Sequence, residues 1–243
     1  MRIFIVALLL VVSVRLVAQT IVDKTVPYLP GQTITMHFDY PELITVSTWE
    51  KNEIAIHGTV DINGGDNNDA FRLTNATSGS VVTVINEIKD FDKIPKRITV
   101  SDGAKKIVFR TNEDVTKYER ETGRHFQSKS YGVEVEIHLE IKVPRNVVTH
   151  IESVYGMVEI KNFTGPLTVE STYGGVDAAL RESATGELSA ETHYGEIYTN
   201  LTTRFSGKTT DRDFHTYVSA KPGTGPSYTF ISRYGNVYIR KSD

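Results

Sequence analysis

The chain has 243 residues, and its 27 lysines and arginines against 30 aspartates and glutamates give a formal net charge of −3. This length lets one large or two small domains bury a core without cross-links. The slight excess of acidic residues argues against a nucleic-acid-binding function, which needs a concentrated basic face. The absence of cysteine excludes disulfides, thiolate metal sites, a cysteine nucleophile and a lipid-modified cysteine.

Residues 1–18 are predicted to be a signal peptide that directs export. After a positively charged start, segment 3–14 is apolar apart from one serine. It is too short for a membrane span, which needs about 20 residues, but it suits the hydrophobic region of a signal peptide. Leu16 and Ala18 occupy the −3 and −1 positions of a cleavage site before Gln19. A membrane anchor and an ordinary core strand are the alternatives, and we expect no transmembrane segment after signal removal.

Alternation of apolar and polar residues predicts β-strands along the rest of the chain. The clearest patterns cover residues 33–38, 54–62 and 133–141. In the last of these, alternate side chains are apolar, so one face of the strand is buried and the other is exposed. This is typical of antiparallel or solenoid strands rather than of central strands in an α/β sheet. No segment predicts a long amphipathic helix.

Polar segments between these patterns are predicted to be turns and loops. Residues 101–103 separate two short strand patterns and predict a hairpin. The Asp61–Asp69 segment is rich in Asn, Asp and Gly; we interpret it as a turn, with calcium binding as the alternative, although its residues depart from the EF-hand order. Segment 111–130 is charged and weakly periodic, and predicts one or two helical turns or an extended, mobile loop.

Four segments of the C-terminal half share one pattern without gaps: Ser or Thr two residues before a Tyr, Gly directly after it, and Val or Ile three after it. We call their tyrosines the tyrosine ladder: Tyr155, Tyr173, Tyr194 and Tyr234. A Thr-Gly element precedes two of them, at 164–169 and 185–190. The long interval between residues 195 and 234 predicts one more layer, which has lost its Tyr-Gly pair.

Units of about 20 residues cannot bury an apolar face alone, so the repeats predict layers that stack and cover one another. The residues expected to point inward are Val158, Leu167, Val169, Val176, Leu188, Ala190, Ile197 and Val237. The glycine after each tyrosine is interpreted as a bend point, because it tolerates backbone angles that a Cβ forbids. The Ser or Thr before each tyrosine is expected to hydrogen-bond along the stack. The last strand, 237–240, is expected to cap an open end.

The tyrosine ladder has two interpretations. In the first, the rings stack in register and stabilise neighbouring strands by about 0.2–1 kcal/mol per pair. In the second, they form an aromatic platform for sugar rings or a protein partner. We favour the first; the second supplies the only candidate binding residues, and it leaves the ligand unknown.

The sequence offers no constellation for catalysis. It contains no nucleophile elbow, HExxH motif, P-loop or dinucleotide fingerprint, so we expect no catalytic residue and no cofactor. The seven histidines are scattered singly, and we expect no metal site. The densest cluster, 211–215, is interpreted as a solvated turn with an ion pair. Glu152, Glu170 and Glu191 recur at one repeat position and are interpreted as solvated edge residues.

With the repeats aligned, residues 20–240 resemble the bacterial "putative adhesin" or toastrack domains, a family of unknown function. The resemblance rests on residues 48–54 after an early strand, on residues 143–145, and on the alternating Thr-Gly-x-Leu and Tyr-Gly-x-Val/Ile elements. The Val-Ala-Gln end of the signal peptide is similar to those of Bacteroidetes members. The resemblance implies an all-β, single-domain, β-solenoid-like stack, an envelope location and no known catalysis. We expect one continuous domain, with irregular N-terminal antiparallel strands in 19–143 and the repeat stack in 144–243.

Together these features favour an exported, non-catalytic envelope protein that acts as an adhesin or binding scaffold. Its partner would be a protein or glycan at the cell envelope, and its location the periplasm or the outer cell surface. An envelope-stress sensing or regulatory domain is the second hypothesis. A carbohydrate-active enzyme on a β-helix is the third.

Overall fold

The computed structural model describes residues 19–103, 105–210 and 214–242. In these ranges the chain is all-β apart from one α-helix and three short 3-10 turns, as the alternating patterns predict. No helix in the described residues has the length and apolar character needed to cross a membrane. The predicted signal peptide, 1–18, and most of the cluster at 211–215 lie outside the described residues.

Twenty strands are numbered in chain order. The first ten are β1 (Thr20–Pro27), β2 (Thr33–Phe38), β3 (Leu43–Trp49), β4 (Glu53–Ile62), β5 (Phe71–Ser78), β6 (Val81–Ile88), β7 (Arg97–Asp102), β8 (Lys105–Phe109), β9 (Lys129–Gly132) and β10 (Val135–Pro144). The others are β11 (Thr149–Ser153), β12 (Met157–Ile160), β13 (Leu167–Ser171), β14 (Val176–Leu180), β15 (Leu188–Thr192), β16 (Ile197–Thr199), β17 (Ser206–Thr210), β18 (His215–Ala220), β19 (Tyr228–Ser232) and β20 (Val237–Lys241). Helix α1 (Asn112–Thr122) lies between β8 and β9.

The strands form two large sheets and one small sheet. The first sheet has the order β1-β4-β10-β3-β12-β14-β20-β16. The second has the order β17-β18-β15-β19-β13-β11-β2-β6-β5. The small sheet, β8-β7-β9, contains the antiparallel pair β7–β8 that the turn at residues 101–103 predicts.

Each Tyr-Gly repeat contributes one strand to each large sheet, and the equivalent strands pair in parallel. In the second sheet β11, β13, β19 and β15 are neighbours, and in the first β12, β14, β20 and β16 are neighbours. The register aligns equivalent positions, so Val158 lies beside Val176 and Val176 beside Val237. Strands β2 and β3 extend the two rows by pairing in parallel with β11 and β12.

The spatial order of these repeat layers differs from their order in the chain. The layer of Tyr234, formed by β19 and β20, lies between the layers of Tyr173 and Tyr194. The long interval holds the antiparallel pair β17–β18, which extends the second sheet beyond β15. The prediction of a further layer without Tyr-Gly between residues 195 and 234 is therefore wrong. So is the capping role of the last strand, because β20 is flanked by β14 and β16.

The buried side chains of both large sheets form one hydrophobic cluster, in which Phe38 and Phe230 are among the largest fully buried members. Seven of the eight residues predicted to point inward are buried, and Ile197 is half-buried against the same cluster. This agreement follows from the parallel register, which turns equivalent residues of successive layers to the same face.

Helix α1 is longer than the one or two turns that the sequence predicts, with 11 residues. Thr111 begins it with a capping box: the Thr111 hydroxyl accepts from the backbone N–H of Asp114, and the Asp114 carboxylate accepts from the backbone N–H of Thr111. Gly123, with a φ of 69°, ends it in the left-handed conformation. Val115 is fully buried against the small sheet, which fixes the helix in place.

Candidate functional site

The tyrosine ladder is part of a longer line of seven aromatic rings, here called the aromatic row. In spatial order its members are Phe91, Tyr40, Tyr155, Tyr173, Tyr234, Tyr194 and Phe214. Successive ring centroids are 4.9 to 6.4 Å apart. The angle between the planes of neighbouring ladder rings is only 8° to 12°. The stacked arrangement that the sequence favours is therefore present, in the order of the layers rather than of the chain.

The repeating turn between the two strands of a layer sets the position of each ladder ring. The backbone N–H of Tyr173 donates to the Val154 carbonyl at 2.7 Å, and that of Tyr234 donates to the Thr172 carbonyl at 2.9 Å. Consecutive turns are thus hydrogen-bonded in the same manner as the strands that they connect. Because neighbouring strands lie about 4.8 Å apart, equivalent rings are held at stacking distance.

The glycine after each ladder tyrosine lies in the bend between the two strands of its layer, as predicted, and it also allows the layers to pack closely. Among Gly156, Gly174, Gly195 and Gly235, none has a positive φ. A Cβ built on Gly235 would instead overlap the carbonyl oxygen of Gly174, and one on Gly174 would overlap that of Gly156. The bend is thus confirmed, but the special backbone angle predicted as the reason for glycine is wrong: backbone carbonyls of adjacent layers occupy the space that any side chain would need.

The serine or threonine two residues before each ladder tyrosine is buried. The Ser153 hydroxyl donates within its own turn, to the Gly156 carbonyl at 3.1 Å, whereas the other three bind along the stack, as predicted. Their hydroxyls donate to glycine carbonyls of adjacent layers: Ser171 to Gly156 at 3.5 Å, Ser232 to Gly174 at 3.3 Å, and Thr192 to Gly235 at 3.0 Å. Buried hydroxyls and carbonyls without partners would cost free energy, so these contacts help to fix the turns that carry the aromatic row.

The aromatic row presents ring edges to the solvent, not ring faces. The four ladder tyrosines are 48% to 60% exposed, although each is stacked on its neighbours. A sugar ring cannot enter between two rings whose centroids are 5.1 Å apart, as in the pair Tyr173 and Tyr234. What remains accessible is a line of apolar edges and phenolic hydroxyls. The five tyrosines of the row are therefore amphipathic, whereas the phenylalanines at its two ends are purely apolar.

Beside the aromatic row, the second sheet carries paired histidines and carboxylates. Glu152 accepts from His37 Nδ1 at 2.8 Å and from His150 Nε2 at 3.1 Å, and Asp39 accepts from His37 Nε2 at 2.8 Å. Burial lowers the pKa of His37, but the hydrogen bonds to Glu152 and Asp39 outweigh it, so the net shift is upward. The bond from His37, with that from His150, lowers the pKa of Glu152. Glu152 is thus held as a carboxylate.

A second group joins Glu191, His193 and His215, which the sequence did not bring together. His215 Nε2 lies 2.8 Å and His193 Nε2 lies 3.3 Å from the same oxygen, Glu191 Oε1. The two imidazole rings meet edge to face, with centroids 4.9 Å apart and planes at 88°. Alternation along the chain places Glu191 and His193 on one face, but only the pairing of β15 with β18 adds His215.

The recurring glutamates do not form a continuous column. Glu152 lies beside Glu170 in the register of β11 and β13, whereas Ile231 of the inserted strand β19 separates Glu170 from Glu191. The three carboxylates therefore fall into two groups at different positions along the second sheet.

In the Asp61–Asp69 segment, the carboxylates of Asp61 and Asp66 bind groups of the protein itself. Asp61 accepts from the backbone N–H of Gly65 at 2.8 Å. Asp66 accepts from Arg110 at 2.7 Å and from Arg97 at 2.9 Å, and these bonds lower its pKa. The contacts support the interpretation of this segment as a turn.

Two solved structures are similar to the chain. A "putative cell adhesion protein" from Clostridium sporogenes aligns with 93% of this chain and 100% of its own, at 9% identity and a TM-score of 0.47. A "putative adhesin" from Bacteroides fragilis aligns with 93% and 98%, at 11% identity and a TM-score of 0.21. The chain resembles adhesin-type proteins of unknown function. No protein-family model and no curated protein matches it, and likenesses this distant carry no argument about activity.

Proposed function

We propose that this protein is an exported, non-catalytic binding scaffold of the bacterial cell envelope, located in the periplasm or on the outer surface. The observation that carries the proposal is the aromatic row, a line of seven rings of which five, from Tyr155 to Phe214, are exposed. Exposed aromatic clusters are unusual on a surface that binds nothing, because they leave apolar area in water.

The support is a β-solenoid-like repeat stack of the toastrack kind. Each repeat gives one short strand to each large sheet, and equivalent strands pair in parallel from layer to layer. Stacks of this type bury their apolar face only against neighbouring layers. They hold equivalent surface residues at a regular spacing, which is the property that a scaffold for an extended partner requires.

The row best fits a protein partner that contacts ring edges and hydroxyls. The inner rings cover each other's faces, as the 8° angle between Tyr173 and Tyr234 shows, so stacking of sugars on those faces is blocked. Stacking also immobilises the side chains before binding, which reduces the entropy lost on association. Tyrosine edges with fixed hydroxyls combine apolar contact with directional hydrogen bonds.

For the recurring glutamates Glu152, Glu170 and Glu191, the absence of catalysis in this proposal draws on their pKa shifts and positions. A glycosidase needs one carboxylic acid with a raised pKa beside a second carboxylate. Glu152 has the opposite shift, because His37 and His150 donate to it. Ile231 separates Glu170 from Glu191, so these two do not form a neighbouring pair in the sheet.

The test is retention of envelope components by the purified protein, with cross-linking from the aromatic row to identify the bound partner. In Y173A/Y234A we expect affinity to fall about tenfold or more, because central aromatic residues commonly carry over 1 kcal/mol each. The matched control is Y198A/Y238A, since Tyr198 and Tyr238 form a stacked pair outside the row, with centroids 5.2 Å apart.

Circular dichroism and thermal unfolding establish that both double variants remain folded. Equal binding by wild type and Y173A/Y234A would contradict the proposed contact surface. Turnover of a polysaccharide by the wild type that disappears in E170Q would contradict the absence of catalysis.

A further inference from the structure

The trio of Glu191, His193 and His215 lies where two antiparallel strands of the second sheet meet. Glu191 belongs to β15 and His193 follows it by two residues, so their side chains lie on the same face. Strand β18 begins at His215, and Thr192 pairs with Thr216. In this antiparallel register, the next pair of opposite residues is His193 and His215.

The nitrogen and oxygen atoms of the trio converge on one point. One ligand atom from each residue lies within 4.8 Å of the other two. Both imidazole Nε2 atoms are directed at Glu191 Oε1, at 2.8 Å for His215 and 3.3 Å for His193. Donors that lie about 2.0–2.1 Å from a tetrahedral zinc ion are about 3.3 Å from one another. The His193 distance equals that value, and the His215 distance, 2.8 Å, is 0.5 Å shorter.

We propose that Glu191, His193 and His215 bind a divalent transition-metal ion, with Zn²⁺ as the ion that fits best. Two neutral imidazoles and one carboxylate form a ligand set that zinc uses in proteins with an open fourth position. Hard cations such as Ca²⁺ and Mg²⁺ prefer all-oxygen sites, so the two nitrogen donors exclude them here. An ion between the three groups would bind the Nε2 lone pair of each imidazole, and each neutral ring would then carry its single proton on Nδ1.

A second trio of the same composition shows that residue types alone do not make this site. Glu152 also contacts two histidines, but His37 Nδ1 binds Oε2 while His150 Nε2 binds Oε1. The two nitrogens therefore approach different oxygens of that carboxylate. Within the residues that the structure describes, only the Glu191 trio places three such atoms within 4.8 Å.

The ion would fasten β18 to β15 at the end of the aromatic row. Phe214, next to His215, stacks on Tyr194 with centroids 5.8 Å apart. Ligation of His215 would therefore restrain the last ring of the row. All three ligand residues are partly exposed, so the ion can enter from solvent and keep its fourth position for water or for a ligand atom of a partner.

The experiment is zinc titration of the purified full chain, without a polyhistidine tag, at about pH 7.5, because metal binding requires deprotonated ligand atoms and is weakened by acid. Calorimetry gives the affinity and the stoichiometry, and thermal unfolding reports the effect on stability. We expect one zinc ion per chain and a rise in the melting temperature on its addition. H193Q and H215Q should each weaken binding by at least about tenfold, the lower limit seen even for residues that only support metal ligands.

The matched control is H150Q, which changes a histidine of the Glu152 trio and should leave zinc affinity unchanged. Since glutamine keeps a polar side chain, each variant is expected to fold, and circular dichroism verifies this. An excess of Mg²⁺ should not displace the zinc. The proposal is overturned if the wild type binds no zinc, or if H150Q weakens binding as much as H193Q and H215Q do.

Discussion

The glycines that follow the ladder tyrosines lie against backbone carbonyls of the next layer. The sequence revealed their positions, because the full repeat pattern around Tyr-Gly occurs four times, but it suggested special backbone angles as the reason for glycine. Local pattern cannot distinguish a glycine needed for its φ angle from one needed for its lack of a Cβ. That distinction depends on what lies beside the residue in space, as Gly235 beside Gly174 illustrates.

We expect Gly235→Ala to lower the free energy of unfolding by about 3 kcal/mol or more, which is the upper end of the usual cost of overpacking a core. The added Cβ would overlap the carbonyl oxygen of Gly174, which cannot move without breaking the parallel pairing of β14 with β20. Chemical denaturation of wild type and variant measures the change in the free energy of unfolding.

Gly132 provides the matched control, because it too follows a tyrosine. A Cβ on Gly132 would meet no atom within 4 Å, and its φ is not positive. Gly132→Ala should therefore change the free energy of unfolding by only about 0.5 kcal/mol. Similar effects of the two substitutions would refute the packing role assigned to Gly235.

Strands were more predictable than the helix or the histidine trio. Alternation identified β2 and most of β4 and β10, since half-buried strands have a two-residue period. Helix α1 was underestimated because its sequence is strongly polar, with only Val115 buried. The Thr111-x-x-Asp114 capping signal and Gly123 were available in the sequence. His215 could not be assigned to Glu191 and His193, because the register of β15 with β18 is a tertiary property.

The capping box of α1 gives a prediction for this element. Thr111→Ala removes the acceptor for the Asp114 backbone N–H, which lies 3.2 Å from the Thr111 hydroxyl. The helix should lose about 1 kcal/mol of stability, within the 0.5–2 kcal/mol seen for such caps. Amide hydrogen exchange of residues 112–122 is the suitable measurement, since the loss is expected to be local.

Thr116→Ala makes the same chemical change inside the same helix. The Thr116 hydroxyl donates to the Asn112 carbonyl at 3.0 Å, a contact that intrahelical bonding makes dispensable. Alanine is the better helix former, so exchange in this variant should be unchanged or slower. Faster exchange in Thr116→Ala than in Thr111→Ala would show that the cap does not stabilise α1.

The order of the layers is the property of the protein that sequence predicted least well. Each layer carries the same Ser/Thr, Tyr, Gly and Val or Ile positions, so all layers are chemically similar. The local sequence pattern therefore does not specify which layers become neighbours. The burial of the predicted inward residues follows from the repeat itself. The position of β19 and β20 between earlier layers depends on contacts distant in sequence.

Removal of residues 233–243 should therefore affect the interior of the stack rather than a frayed end. It deletes β20, whose Val237 and Ile239 are fully buried, and leaves β14 and β16 without their common neighbour. Two such side chains contribute about 1.5–3 kcal/mol each, a large part of a typical stability of about 5–15 kcal/mol. We expect loss of cooperative thermal unfolding.

The control for this truncation is removal of residues 242–243 alone. Ser242 donates one backbone hydrogen bond to Leu180 at 2.9 Å, worth about 0.5–1.5 kcal/mol. This shorter deletion should lower the melting temperature only slightly. If the longer truncation also unfolds cooperatively near the wild-type temperature, β20 does not hold the two parts of the first sheet together.

The inserted layer also constrains the events of biosynthesis. On the ribosome, β15 and β16 emerge before β19 and β20, the strands that separate them from β13 and β14 in the finished sheets. Until β19 and β20 are translated, the nascent chain has two options. It leaves a gap one strand wide in each large sheet, or it pairs β15 with β13 and must break that pairing when β19 arrives. Because contacts between distant segments form slowly, closure of this gap is a natural late step, during which unpaired strand edges are open to chaperones or to other chains.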